Sequence, residues 1–106
     1  MNKVNILKEE QPKTITLADG KEYQLPPKNM NTLANVEEGF DCGMMQIYEL
    51  LEQRPMTTLR KLFFILLKEN NPKLTIKDVG ELITPEYLTP MTETATEILK
   101  YGFVES

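Results

Sequence analysis

Few residues in this chain could do chemistry. Glu93 and Glu97 stand four apart, so a helix through them would place both carboxylates on one face, where they could seat a metal ion. The adjacent pairs Glu9–Glu10 and Glu37–Glu38 point to different azimuths on a helix and do not converge. Cys42, in the stretch FDCGMM, is the single cysteine, beside a glycine and at a candidate helix N-terminus where a thiol becomes more acidic. The sequence contains no histidine, which removes the commonest general base, the usual zinc or haem ligand and any Ser-His-Asp or Cys-His device. Gly39, Gly43 and Gly80 form neither a GxGxxG nor a Walker-type loop. Each remaining candidate has a plainer account: Glu93 and Glu97 as a solvated helix face, Cys42 as a small buried hydrophobe. The expectation is a non-enzyme with no catalytic residue, no cofactor and no metal.

The totals narrow the class further. The chain has 106 residues, 41% hydrophobic and 26% charged, which fits one globular domain and excludes a wholly disordered chain. Its net charge of -4, with scattered rather than striped basic residues, argues against nucleic acid as a partner. One cysteine rules out an internal disulfide. The opening residues MNKVNILKEEQPK lack an apolar core of signal-peptide length, and no window reaches the roughly 18 to 20 apolar residues that span a bilayer. A cytoplasmic protein without a membrane partner is expected.

The elements that must position any site read as follows. Residues 1–12 form a flexible polar lead, and 13–104 a single domain. Within it, KTITLADGKEYQLPP is a β-hairpin over 13–26. A two-residue Asp19-Gly20 turn would set Ile15 against Gln24 and mix the faces. A three-residue loop, Ala18-Asp19-Gly20 with Gly20 left-handed, sets Ile15 opposite Tyr23 and keeps one face apolar. Everything over 29–104 reads as helical. Asn29 or Asn31 caps a short helix with Leu33, Val36 and Phe40, broken by Asp41-Cys42-Gly43. A second helix runs from Met44 to Gln53 with Met44, Ile47, Tyr48 and Leu51 at helical spacing; Pro55 ends it, and Thr57 or Thr58 opens the third.

That third helix carries KLFFILLKENNP, with six consecutive apolar residues from Leu62 to Leu67. Leu59, Leu62, Phe63, Leu66 and Leu67 follow one buried stripe, and Phe64 and Ile65 fall off it, so the helix is central or covered on two sides. Thr75 and Asp78 make a capping box, with Leu74 and Val79 as its hydrophobic staple. Thr84-Pro85 and Thr89-Pro90 read as two further proline-led starts, and the last helix shows Met91, Ala95, Ile98 and Leu99 on one face, ending near Gly102. The fold class is therefore α+β and mostly α: an N-terminal β-hairpin on a compact bundle of four to five short helices.

Six methionines in so short a chain suit adaptable packing, either as gap fillers or as a soft face for a partner's helix. Phe64, Ile65, Met44, Met45 and Met56 are the candidate partner interface, chosen for surplus apolarity.

The hairpin ITLADGKEYQL, the brief LANVEE helix and the run LRKLFFILLKENNPKLTIKDVGELI resemble the small tail assembly chaperones of long-tailed bacteriophages and related gene-transfer-agent proteins. The matching positions are Leu59, Leu62, Leu66, Pro72, Leu74, Thr75, Asp78, Val79, Gly80, Leu82 and Ile83, and the likeness covers roughly residues 14 to 84. Asn70-Asn71 stand before Pro72 where that group commonly has an acidic residue. The resemblance implies a phage or prophage protein, in the cytoplasm of a bacterial host, that coats the tape-measure protein before the tail tube polymerises. Its partners would be the tape-measure protein, the tail tube protein and further copies of itself. The rival readings are a head–tail or tail component that self-assembles through the same apolar face, and an enzyme using Cys42 or Glu93 and Glu97.

Overall fold

A hairpin loop with one left-handed residue opens the structure. In the computed structural model, which describes residues 14–27 and 29–104 with side chains as far as residue 100, strands β1 (Thr14–Thr16) and β2 (Glu22–Gln24) pair antiparallel with Ile15 opposite Tyr23. The lead at 1–12 lies outside the described residues. Gly20 takes a φ of 79°, its N–H donates to the Leu17 carbonyl at 2.9 Å, and the Leu17 N–H donates to the Lys21 carbonyl at 3.2 Å. The loop is thus Ala18-Asp19-Gly20, and the expected register holds. Asp19 locks it: its carboxylate accepts from the Lys21 N–H at 3.0 Å and from the Tyr23 hydroxyl at 2.6 Å. The Tyr23 hydroxyl holds the Asp19 carboxyl below its ordinary range, and the same bond raises the phenol.

Five α-helices follow. Helix α1 (Met30–Phe40) is capped by Asn29, whose Oδ1 accepts from the Thr32 N–H at 3.1 Å, and it ends on Asp41 at φ 59°, a left-handed position that Asp tolerates. Helix α2 (Met44–Gln53) has no side chain on its Gly43 cap to hold the first amides. Neighbours take over: Gln46 Oε1 accepts from the Gly43 N–H at 3.1 Å, and Glu37 of α1 reaches across to accept from the Met44 N–H at 3.0 Å. A carboxylate at that end also complements the helix dipole.

Two expected starts are corrected. Helix α3 (Pro55–Lys68) begins at Pro55 itself, with Arg54 as the only residue between it and α2, so neither Thr57 nor Thr58 opens it. Proline at the first helical position costs nothing because that amide has no intrahelical partner. Helix α4 (Ile76–Leu82) starts as expected. Thr75 Oγ accepts from the Asp78 N–H at 3.1 Å and the Asp78 carboxylate accepts from the Thr75 N–H at 3.0 Å, which keeps the Asp78 carboxyl below its ordinary range. Beyond it, Thr84-Pro85 opens a 3-10 turn (Pro85–Tyr87) that runs straight into α5 (Leu88–Val104). Thr89 is therefore no cap, since Pro90 is already the third residue of a continuous helix and its missing amide is again one of the unpaired first-turn donors. The helix also runs two residues past Gly102.

Helix α3 is the axis of the fold and touches α1, α2, α4 and α5. Its stripe Leu59, Leu62, Phe63, Leu66 and Leu67 is fully buried. Against it pack Val36 from α1, Ile47 and Leu51 from α2, Val79 from α4, and Met91, Ala95, Ile98 and Leu99 from α5. The hairpin contributes Leu17 and Leu25 to the same core and is tied down by polar contacts to late elements. The Ala18 N–H donates to the Leu82 carbonyl at 3.1 Å, the Tyr87 hydroxyl to the Leu17 carbonyl at 3.4 Å, and Asn70 Nδ2 to the Gln24 carbonyl at 3.2 Å.

Candidate partner interface

The five residues picked for surplus apolarity divide into three groups. Met44 is a correction: it is buried in the core with Ile47 and Leu51. Its place at i, i+3, i+7 with those two residues already put it on the buried face of α2.

Phe64 and Ile65 are half-buried and pack against the core. Ile65 is covered by α1, where Gly39 leaves space for its Cδ1; a Cβ added at Gly39 would overlap that methyl and stand 3.0 Å from Cγ1. Close backbone approach is the reason glycine serves at this point. The Lys68 ammonium lies 5.4 Å from the centroid of the Phe64 ring, and the Lys61 ammonium 5.1 Å from that of Phe40, so two cations sit over ring faces.

Met45 and Met56 are the exposed pair, at 68% and 63%. They do not form one patch with each other along α2: Met45 sits in its first turn, and Met56 lies beyond its last, a helix length of about 15 Å away. Met30 and Ile76 are the other large apolar side chains exposed among the described residues.

What sequence spacing missed is a groove beside Met56. It has a volume of about 300 Å³ and lies between the N-terminal half of α3, the α4 helix and the start of α5. Met56, Thr57, Leu59 and Arg60 come from α3, Gly80 from α4, Ile83, Thr84 and Pro85 from the link, and Leu88 from the first turn of α5. The floor and walls are mainly apolar, with two polar features. Arg60 lays its stem over Gly80, where an added Cβ would stand 3.0 Å from Arg60 Cδ. The Thr84 hydroxyl is buried and has no hydrogen-bond partner among the described residues. Three helices and the link between two of them build this wall, and no spacing rule joins them.

The chemical candidates lie elsewhere. Cys42 is half-buried, packs against the core, and stands one residue outside the Gly43 cap of α2. Glu93 and Glu97 are exposed on α5. No cluster of three or more His, Cys, Asp or Glu able to hold a metal ion occurs among the described residues. Likewise, none of their helices is long and apolar enough to cross a membrane. No family model, no curated protein and no solved structure matches this chain.

Proposed function

We infer that the protein is a tail assembly chaperone of a long-tailed bacteriophage or prophage, which binds the tape-measure protein in the bacterial cytoplasm and shields it until the tail tube polymerises around it. The observation that carries this reading is the apolar groove beside exposed Met56. Of the positions that carry the resemblance over roughly residues 14 to 84, Leu59, Gly80 and Ile83 line this groove. An open apolar groove accepts one face of a partner's amphipathic helix. A tape measure is a long helical chain rich in apolar residues, and many copies of a small acidic protein along it keep it soluble. Modest affinity per copy suffices when many sites act along one chain.

The test is co-expression with the tape-measure protein encoded beside the tail tube gene of the same cluster. The expected outcome is a higher soluble yield of the tape measure and a co-purifying complex. A tape measure that stays insoluble and leaves the protein alone on the column would sink the reading. Stable closed rings of the purified protein by itself would instead favour a self-assembling component of the particle.

A further inference from the structure

We propose that the groove selects its partner by charge as well as shape: it takes a helix that presents an aliphatic side chain and, one turn away, an Asp or Glu that pairs with Arg60. The proposal rests on the chaperone reading and adds the chemistry of the segment that is bound. Three observations meet at one wall. Arg60 is exposed and laid across α4 at the one residue without a Cβ, Gly80, which puts its side chain on the rim of the groove. That guanidinium has no hydrogen bond or ion pair among the described residues, although the chain carries 16 acidic residues against 12 basic ones. The buried Thr84 hydroxyl, also unpartnered, lines the same groove.

A guanidinium offers a planar fork of donors that matches a carboxylate, and its weak hydration favours pairing at an interface. The apolar floor from Leu59, Ile83 and Leu88 recognises the aliphatic side chain, and Met56 closes over it. Residues three or four apart on the partner's helix reach both features at once. A partner helix with lysine or arginine in the acidic position would leave Arg60 facing a like charge and be rejected.

The experiment uses the full chain co-expressed with the same tape-measure protein, comparing wild type with Arg60→Glu, Arg60→Gln, Met56→Glu and, as an exposed control that does not line the groove, Met30→Glu. All three positions are exposed, and unfolding midpoints check that each variant folds. Arg60→Glu and Met56→Glu are expected to lower the co-purified tape measure at least about tenfold, Arg60→Gln less, and Met30→Glu not at all. Undiminished capture by Arg60→Glu and Met56→Glu overturns the proposal and leaves the chaperone reading standing. No capture by wild type overturns the chaperone reading and this inference with it. If light scattering shows that Arg60→Glu converts an oligomer to a monomer, the groove's occupant is a second copy and the proposal fails.

Discussion

The two halves of α3 differ in apolar content, six consecutive apolar residues against Met56 and Leu59, and it is the sparser half that stays open. From Leu62 to Leu67 the helix is mostly covered: Leu62, Phe63, Leu66 and Leu67 are buried, and Ile65 and Phe64 are half-buried, the first against Gly39 of α1 and the second beneath the Lys68 ammonium. From Met56 to Arg60 only Thr58 and Leu59 are buried, and the rest faces a groove or solvent. A dense apolar run is therefore no guide to a binding surface here. The run that looks too greasy for a small protein is consumed by the fold, and the open surface lies where single apolar residues from three segments converge.

The sharpest way to break that contrast is to truncate one side chain at each end. Phe63→Ala should cost about 3 to 5 kcal/mol in urea unfolding, because a fully buried ring leaves a cavity that the core fills only partly. Met56→Ala should change stability by no more than about 0.5 kcal/mol, as expected of an exposed side chain. Equal costs at the two positions would contradict the division of α3 drawn above. A smaller effect should come from Gly39→Ala, since the new methyl meets Ile65 Cδ1 across the α1–α3 contact. Overpacking there should cost about 1 to 2 kcal/mol net of the better helix propensity. Removing that methyl with Ile65→Val should bring the double variant to at least the stability of Gly39→Ala alone. If the two changes simply add, α1 does not cover Ile65 as described.

A loss smaller than that at Gly39 belongs to the α4 cap, which positions one wall of the groove. Thr75→Ala should cost about 1 kcal/mol. The cap is also sensitive to acid. The Asp78 carboxyl ionises below its usual 3.8 because the Thr75 N–H and hydroxyl side of the box favour the charged form. Its contribution is present above the unfolded-state value and is lost as the pH falls through the folded one. The stability difference between wild type and Asp78→Asn should thus be steady near neutrality and close below about pH 4. A difference that persists unchanged into strong acid would show that the carboxylate is not what holds the cap. Asp19 titrates in the same direction, so the comparison with the variant, not the raw acid transition, isolates Asp78.

Local signals explain most of what the sequence made legible. Asp19-Gly20 with the Ile15 and Tyr23 alternation settles the hairpin register, Asn29 and the Thr75–Asp78 box settle two helix starts, and helical spacing settles the α3 stripe. Proline caused the errors. At Pro55 and Pro90 it was read as a stop or as a new start, yet in the first turn of a helix its missing amide has no partner to lose. Met44 differs for another reason: its methionine character suits an exposed contact, but its azimuth with Ile47 and Leu51 buries it. The groove was beyond reach, since it depends on how Met56, Gly80 and Leu88 come together in space.

The hairpin's attachments have a consequence for the order of assembly during synthesis. Its Leu17 carbonyl is bonded by Tyr87, 70 residues later, and its Gln24 carbonyl by Asn70, 46 residues later. The strands leave the ribosome well before their docking partners and must wait for α4 and the turn behind it. Synthesis at roughly 5 to 20 residues per second delays those partners by seconds, far longer than a helix takes to form. The nascent chain should accordingly gather its helices first and seat the hairpin last, as a clasp that closes on a bundle already formed.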